Sequence, residues 1–281
     1  MPQHGHGAQR ASARRFRSAL AGILATFVAI GAVSAVAPVA LASTAKVVIV
    51  VGPVGSVTAD YKSKAAALAT QARSYGAAVT QIVTPDATWS RVAAAARGAN
   101  VLIYLGHGNG WPSPYAPWST ATKDGLGLNA TAGAGNSNVK YYGEAYMAKL
   151  GLARDAVVIL NHLCFASGNS EWGSANPTRA VAIKRVDNYG AGFLRGGARA
   201  VFAIGLDNAA FLLRGLFRGS ATMTMAQLFW TNPSRTGTYR IGFTSIRTPG
   251  TTAVMDPYAP SRYFRSVVGW LSTTVGGWRA G

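Results

Sequence analysis

The chain has 281 residues, of which 49% are hydrophobic and 13% are charged, and this composition excludes an intrinsically disordered chain. Its 27 basic and 9 acidic residues give a formal net charge of +18 at pH 7. The single cysteine excludes a disulfide bond within the chain.

The N-terminal residues differ in composition from the rest of the chain. Four arginines precede an unbroken apolar run, which ends in the small-residue sequence ALA at 40–42. This order is typical of a secretory signal peptide. We therefore predict a signal peptide at 1–42, cleavage after Ala42, and a secreted or envelope-associated protein without a transmembrane segment once the signal is removed. An uncleaved membrane anchor is the alternative, because the apolar run is long.

The basic character of the chain persists after the predicted cleavage. Without residues 1–42, 23 basic and 9 acidic residues remain, a net charge of +14. A surface of this kind attracts polyanions, so an anionic cell-envelope polymer is a candidate partner. The basic residues are scattered and match no nucleic-acid motif, so we predict no specific nucleic-acid partner, and the charge alternatively serves solubility alone.

Short apolar runs alternate with helical patterns along the first two thirds of the chain. The predicted order is strand 46–52, helix 58–76, strand 78–85, helix 88–99, a strand ending at His107, an irregular loop at 109–139, a helix near 141–152, a strand ending near Cys164, helix 178–195 and strand 199–205. This alternation predicts an α/β fold, a three-layer sandwich with a mostly parallel sheet and helices on both faces.

The last part of the chain is rich in turn residues and has little periodicity. We predict one α/β domain over 43–230 and a β-containing appendage of the same globule over 231–281. The appendage is expected to lie on the surface.

His107 and Cys164 each follow an apolar strand. In a parallel sheet, catalytic groups gather beyond the carboxyl ends of the strands, and neighbouring strands lie about 4.8 Å apart. An imidazole beside a thiol raises the thiolate fraction, and the thiolate is the nucleophile. After cleavage the remaining histidines are His107 and His162, so every imidazole and thiol lies in one of two strand-end motifs.

These motifs carry a family resemblance. The segments VLIYLGHG at 101–108 and VVILNHLC at 157–164 resemble the caspase-like cysteine peptidases, which include caspases, legumains, gingipains, separases and CHAT domains. The segment NYGAGFLRGGARAVFAIG at 188–205 is similar to the helix and strand that follow the nucleophile in gingipain and CHAT proteins. The resemblance covers about residues 46–215.

The resemblance implies a caspase-like fold and a hydrolase that cleaves peptide or protein substrates through a thioacyl intermediate, without a cofactor. It implies that His107 is the general base and Cys164 the nucleophile. The backbone N–H groups of Gly108 and Cys164 would form the oxyanion hole. One departure is Leu163, which stands where members often have a small residue.

Two acidic residues are candidates for substrate binding. Glu171 lies seven residues past Cys164, and Asp207 closes the fifth predicted strand. Either carboxylate would favour a basic or amide side chain before the cleaved bond through a charge-assisted hydrogen bond. Asp207 alternatively caps the helix that follows it.

Two further hypotheses assign the protein to classes of function other than peptidases. In the first, the protein is a catalytically inactive relative whose aromatic residues Trp111, Tyr115 and Trp118 bind an envelope polymer. Trp111 is also a candidate for substrate binding in an active peptidase. Alternatively, the three aromatic residues pack the long loop onto the core.

The other hypothesis is a zinc site with His107, His162 and Cys164 as ligands, and Glu171 or water as the fourth. His162 is alternatively a hydrogen-bonded residue at the end of its strand.

Overall fold

The computed structural model describes residues 44–136 and 138–281. The predicted signal peptide and its cleavage site lie outside these ranges. Within them, the helices are all too short or too polar to cross a membrane.

Over the described residues, ten strands and seven α-helices follow one another, with a short 3-10 turn at Gly55–Val57. In chain order they are β1 (Lys46–Val51), α1 (Thr58–Ser74), β2 (Ala78–Val83), α2 (Trp89–Ala96), β3 (Val101–Leu105), β4 (Leu126–Asn129), β5 (Val139–Tyr142), α3 (Glu144–Met147), β6 (Ala156–Asn161), α4 (Arg179–Arg195), β7 (Ala198–Ile204), α5 (Ala210–Arg218), α6 (Met225–Phe229), β8 (Ile241–Thr244), β9 (Thr252–Met255), β10 (Arg265–Gly269) and α7 (Val275–Ala280).

Eight of these strands form one sheet in the order β2-β1-β3-β6-β7-β10-β9-β8. The five strands from β2 to β7 are parallel, and β10, β9 and β8 continue the sheet in antiparallel pairings. Strands β4 and β5 form a separate antiparallel pair. The sheet is therefore mostly parallel, as predicted.

Helices cover both faces of the sheet. Successive strand residues point to opposite faces, so Val48 and Val50 of β1 belong to one core while Val47, Ile49 and Val51 belong to the other. Helices α2, α3 and α4 pack on the first face, and α1, α5, α6 and α7 pack on the second. Because both faces are covered, the central strands β1, β3 and β6 are nearly continuous apolar runs. The edge strand β2 is more exposed and includes Thr80 and Gln81. The predicted three-layer α/β sandwich is confirmed.

The C-terminal appendage contributes β8, β9 and β10, which confirms its predicted β content. Its expected surface position is wrong for β10, whose five residues are all buried. Arg265 of this strand is 3% exposed and lies 3.0 Å from the carboxylate of Asp256, which is fully buried. The strand can enter the core because this ion pair neutralises its one charge.

The middle of the chain departs most from the sequence expectation. The predicted helix near 141–152 is only the single turn α3, because Tyr141 and Tyr142 instead belong to β5 and pair with β4. Strand β4 itself lies within the predicted irregular loop. Short strands with a glycine, such as the LGLN segment of β4, carry too little periodicity to be predicted.

Candidate functional site

The loops that carry His107 and Cys164 lie side by side. Strands β3 and β6 are neighbours, and their last paired residues are Leu105 and Asn161. A Cβ atom built on Gly108 would lie 2.1 Å from the carbonyl oxygen of Cys164, so the two main chains touch. The predicted meeting of the two loops at one edge of the sheet follows from this strand order. Among the described residues, no hydrogen bond joins the imidazole of His107 to the thiol of Cys164.

A buried tyrosine holds the main chain of His107. The hydroxyl oxygen of Tyr104, on β3, lies 2.6 Å from the carbonyl oxygen of Gly127 and 3.1 Å from that of His107. The N–H of Gly127 also donates to the carbonyl oxygen of His107, at 3.3 Å. A Cβ on Gly127 would lie 3.2 Å from the Cβ of His107, so a glycine lets β4 run close beside this residue. The side chain of His107 is exposed.

Cys164 lies in a tight turn after β6. His162 and Phe165 both have positive φ angles, of 63° and 68°, which non-glycine residues seldom adopt. The N–H of His162 and the side chain of Asn161 both donate to the carbonyl oxygen of Ile204, at 2.8 and 2.9 Å. These bonds fasten the turn to the end of β7, and they hold the half-buried Cys164 in place.

The thiol and the imidazole are both neutral at pH 7. Burial raises the pKa of the Cys164 thiol to about 11, and the negative charge of Glu171 adds to this rise. Although one side of the imidazole is exposed, the surrounding loops partly desolvate His107 and lower its pKa, against the opposing effect of Glu171. The expected rise of the thiolate fraction is therefore wrong for this arrangement, because burial and Glu171 both disfavour the thiolate and raise the pKa of Cys164.

A cleft of about 610 Å³ lies against Cys164. Its walls are the turn after β6, the residues after β7 and the segment 261–264 between β9 and β10. Glu171 and His162 are among its lining residues, whereas His107, Trp111 and Asp207 are not. Trp172 stands at the cleft with 87% of its surface exposed.

Three hydrogen-bond acceptors line this cleft. The Nδ1 atom of His162 lies 3.1 Å from the carbonyl oxygen of Gly205, so Nδ1 carries the proton and Nε2 is left as an acceptor. Within the described ranges, His162 Nε2 and Asn169 Oδ1 are buried without a hydrogen-bond partner, and Asn169 is only 8% exposed. The carboxylate of Glu171 is the third acceptor, and it accepts a hydrogen bond from the hydroxyl of Tyr115.

Asp207 has structural partners. Its carboxylate accepts a hydrogen bond from Asn232 at 3.1 Å and lies 3.3 Å from the guanidinium of Arg265. It does not cap α5, because Asn208 accepts the N–H of Ala210 at 2.7 Å instead.

The aromatic residues of the long loop have separate contacts. The N–H of Trp111 donates to Asp124 at 2.9 Å, and the guanidinium of Arg247 lies 5.7 Å from the ring centre of Trp118. Tyr115 and Trp118 are exposed. The loop is thus fastened by individual bonds of its aromatic residues.

The ligands of the zinc hypothesis are not brought together. In the described part of the chain, no three His, Cys, Asp or Glu side chains are placed to hold a metal ion. His162 uses Nδ1 for Gly205 and stacks on Tyr61, with 5.5 Å between ring centres. The alternative of a hydrogen-bonded His162 at its strand end describes this residue better.

A buried lysine, which the sequence analysis missed, shapes the loop after His107. Lys123 is fully buried, and its ammonium group donates to Asn109 Oδ1, Ser113 Oγ and the carbonyl oxygen of Tyr115, at 2.7, 3.0 and 2.7 Å. Burial lowers its pKa. Its neighbour Asp124 is also buried, and burial raises the pKa of that carboxyl to about 7. A Lys-Asp-Gly sequence resembles an exposed turn, so the sequence held no sign of this arrangement.

Replacement of Gly108 by alanine is expected to lower the free energy of unfolding by about 1–3 kcal/mol, because the new methyl group would overlap the main chain of Cys164. Gly135→Ala is the control, since no atom lies within 4 Å of a Cβ built there. Chemical denaturation measures both. Equal stability of the two variants would contradict the close approach of the loops.

Comparison with known proteins gives a distant likeness. No family model and no curated protein matches the chain. The crystal structure of the Arg specific cysteine proteinase gingipain R aligns with 82% of this chain, at 13% sequence identity and a TM-score of 0.34. The alignment spans 61% of that protein. This is a distant likeness of fold.

Proposed function

We propose that this protein is a cysteine peptidase in which Cys164 is the nucleophile and His107 the general base. One observation carries the proposal: the loops after two neighbouring parallel strands meet at Gly108 and Cys164, beside a cleft. The exposed imidazole of one loop and the half-buried thiol of the other therefore share the edge of the sheet where ligands gather.

The neutral state of both groups determines how the reaction would begin. His107 takes the proton of the Cys164 thiol as the sulfur attacks the carbonyl carbon of the substrate, so the S–C bond forms while the carbonyl oxygen becomes negative. The N–H groups of Gly108 and Cys164 donate to this oxygen. Neither N–H donates a hydrogen bond to another group in the described residues, which supports this role.

The remaining steps return the groups to their starting state. The C–N bond breaks, and the leaving amine receives the proton from the imidazolium of His107. A water molecule then attacks the thioester while His107 accepts a proton from it, and this proton restores the thiol as the acid product leaves. No other group needs to gain or lose a proton.

The cleft favours a substrate side chain that donates hydrogen bonds. His162 Nε2, Asn169 Oδ1 and the Glu171 carboxylate are all acceptors, and a buried acceptor without a partner costs about 1–3 kcal/mol. The Glu171 carboxylate is the acceptor that a substrate side chain with N–H groups would contact, because Glu171 is half-buried whereas the other two acceptor atoms are buried. We therefore propose a basic or amide residue before the cleaved bond, recognised by Glu171 rather than by Asp207.

A peptide library tests the activity and its specificity together. With full-length protein purified from an export-competent host, we expect cleavage after Arg, Lys, Gln or Asn and no cleavage by the Cys164→Ala variant. Glu171→Gln is expected to lower the preference for basic over amide residues about tenfold, because the charged acceptor becomes neutral. Cleavage after acidic residues would reject the specificity, and equal cleavage by Cys164→Ala would reject the nucleophile.

A further inference from the structure

One face of α4 is polar although it is buried. Arg185, Asn188 and Tyr189 are spaced so that they lie on the same side of the helix, and Arg185 is only 5% exposed. Burying a polar side chain is unfavourable unless it forms hydrogen bonds. The partners of these three residues therefore indicate what the face is for.

All three residues bind the main chain of the loop that follows His107. The Asn188 side chain donates to the carbonyl oxygen of Trp111 at 2.8 Å. The hydroxyl of Tyr189 accepts from the N–H of Asn109 at 3.0 Å. The Nε of Arg185 donates to the carbonyl oxygen of Pro112 at 2.7 Å.

Arg185 also binds the loop that follows Cys164. Its Nη1 atom donates to the carbonyl oxygen of Asn169 at 2.6 Å and to Ser170 Oγ at 3.1 Å. Its guanidinium lies 4.8 Å from the ring centre of Phe165, the residue next to Cys164. One side chain thus bonds both loops of the candidate site at once.

The chemistry of the side chain suits this double contact. Within the described ranges Arg185 forms no ion pair, so backbone carbonyl dipoles and one hydroxyl solvate its charge. A guanidinium has five N–H donors in a rigid plane, so it can bond two loops in different directions. A lysine ammonium is a single compact charge on a flexible stem and cannot reproduce this geometry.

We propose that Arg185 is a positioning residue that sets the distance between His107 and Cys164. This inference rests on the proposed function, because the distance matters when a proton passes from the thiol to the imidazole. The guanidinium fixes the main chain a few residues past each of the two groups. A displacement of about 1 Å between reacting groups lowers a rate about 10²-fold.

Kinetics of Arg185→Lys and Arg185→Ala test the proposal. We expect kcat for peptide cleavage to fall about 10²-fold in both variants, while KM changes less than about threefold. Millimolar guanidinium is expected to restore part of the activity of Arg185→Ala, and methylammonium is not. Arg195→Lys, on the same helix but paired with Glu144, is the matched control and should keep the wild-type kcat.

Hydrogen exchange separates this proposal from the proposed function. In Arg185→Lys, the amides of 109–115 and of 164–171 are both expected to exchange faster. Asn188→Ala should affect 109–115, and the segment around Arg247 that also bonds Asn188, but not 164–171. If the wild-type protein has no peptidase activity but Arg185→Lys still exchanges faster than wild type in both segments, the peptidase is rejected and Arg185 is kept as the link between the loops. An active protein whose kcat and exchange do not respond to Arg185→Lys would overturn the positioning role. Loss of activity that parallels a loss of melting temperature, without rescue by guanidinium, would overturn it as well.

Discussion

Replacement of His107 by alanine is expected to lower kcat/KM for peptide cleavage about 10³-fold, the usual contribution of a general base. The loss should be this large because the Cys164 thiol, with its pKa raised to about 11 by burial and by Glu171, is almost fully protonated at pH 7. Without a base, the sulfur must attack as a thiol or as a rare thiolate. Steady-state kinetics with a peptide from the library measure the effect.

The pH dependence of the wild-type protein follows from the same two groups. The reactive form has a neutral imidazole and a protonated thiol, so it exists between their two pKa values. Because partial desolvation by the neighbouring loops lowers the pKa of His107 below its usual 6.5, activity should persist below that pH and decline only in more acidic solution. On the alkaline side, activity should extend towards the thiol pKa of about 11. A profile that rises with a midpoint above pH 6.5 would contradict this assignment.

His162→Asn is the matched control for the loss of an imidazole. Asparagine tolerates the positive φ angle of this position, so the turn that holds Cys164 should survive. We expect a change of specificity without loss of the chemical step, because His162 lines the cleft while its Nδ1 bonds to Gly205. If His162→Asn loses as much kcat as His107→Ala, the general base has been assigned to the wrong histidine.

Asp256→Ala is expected to lower the free energy of unfolding by about 3–5 kcal/mol, since it removes the closer and fully buried of the two carboxylates that compensate the buried charge of Arg265. Arg265 and Asp256 are 3% and 0% exposed, and their charged atoms lie 3.0 Å apart. The Asp256 carboxylate also accepts hydrogen bonds from the N–H groups of Thr236 and Gly237, at 3.0 and 2.8 Å. Removing it therefore affects both the core strand β10 and the segment before β8.

A surface ion pair supplies the control for Asp256. Arg91 and Asp86 lie 3.6 Å apart, and their side chains are 58% and 50% exposed. Asp86→Ala should change the free energy of unfolding by less than about 1 kcal/mol. Denaturant titration of both variants gives the comparison. Similar small losses in the two variants would mean that Asp207 and Ser234 alone are sufficient to compensate Arg265.

The parallel part of the sheet could be predicted because burial on both faces produces long apolar runs. Those runs also located His107 and Cys164, since each run ends just before one of them. The strands of the appendage were less apparent, because Arg265 stands inside β10 and turn residues surround it. Strands β4 and β5 have four residues each, too few for a clear period.

The sequence predicted that the loops of His107 and Cys164 would lie side by side, but it did not predict the residues that support them. Glu171 lines the cleft as the sequence suggested, whereas Asp207 turns to Arg265 because that guanidinium is buried nearby. Buried cations such as Lys123 and Arg185 look like surface residues in a sequence. Their carbonyl partners come from distant loops, and only the folded chain brings these together.

The positive φ angles of His162 and Phe165, on either side of Cys164, affect how the thermostability of this protein could be raised by engineering. His162 and Phe165 hold a backbone shape that costs about 1–3 kcal/mol at each non-glycine position, so glycine would relax the turn. A selection that rewards heat resistance alone would therefore favour glycine at 162 only, because Phe165 is 2% exposed and the loss of its ring from the core costs more than the strain. The same change would allow the turn that carries Cys164 to adopt other backbone conformations. Thermostability and turnover should thus oppose one another at 162, while elsewhere in the sheet they can be raised together.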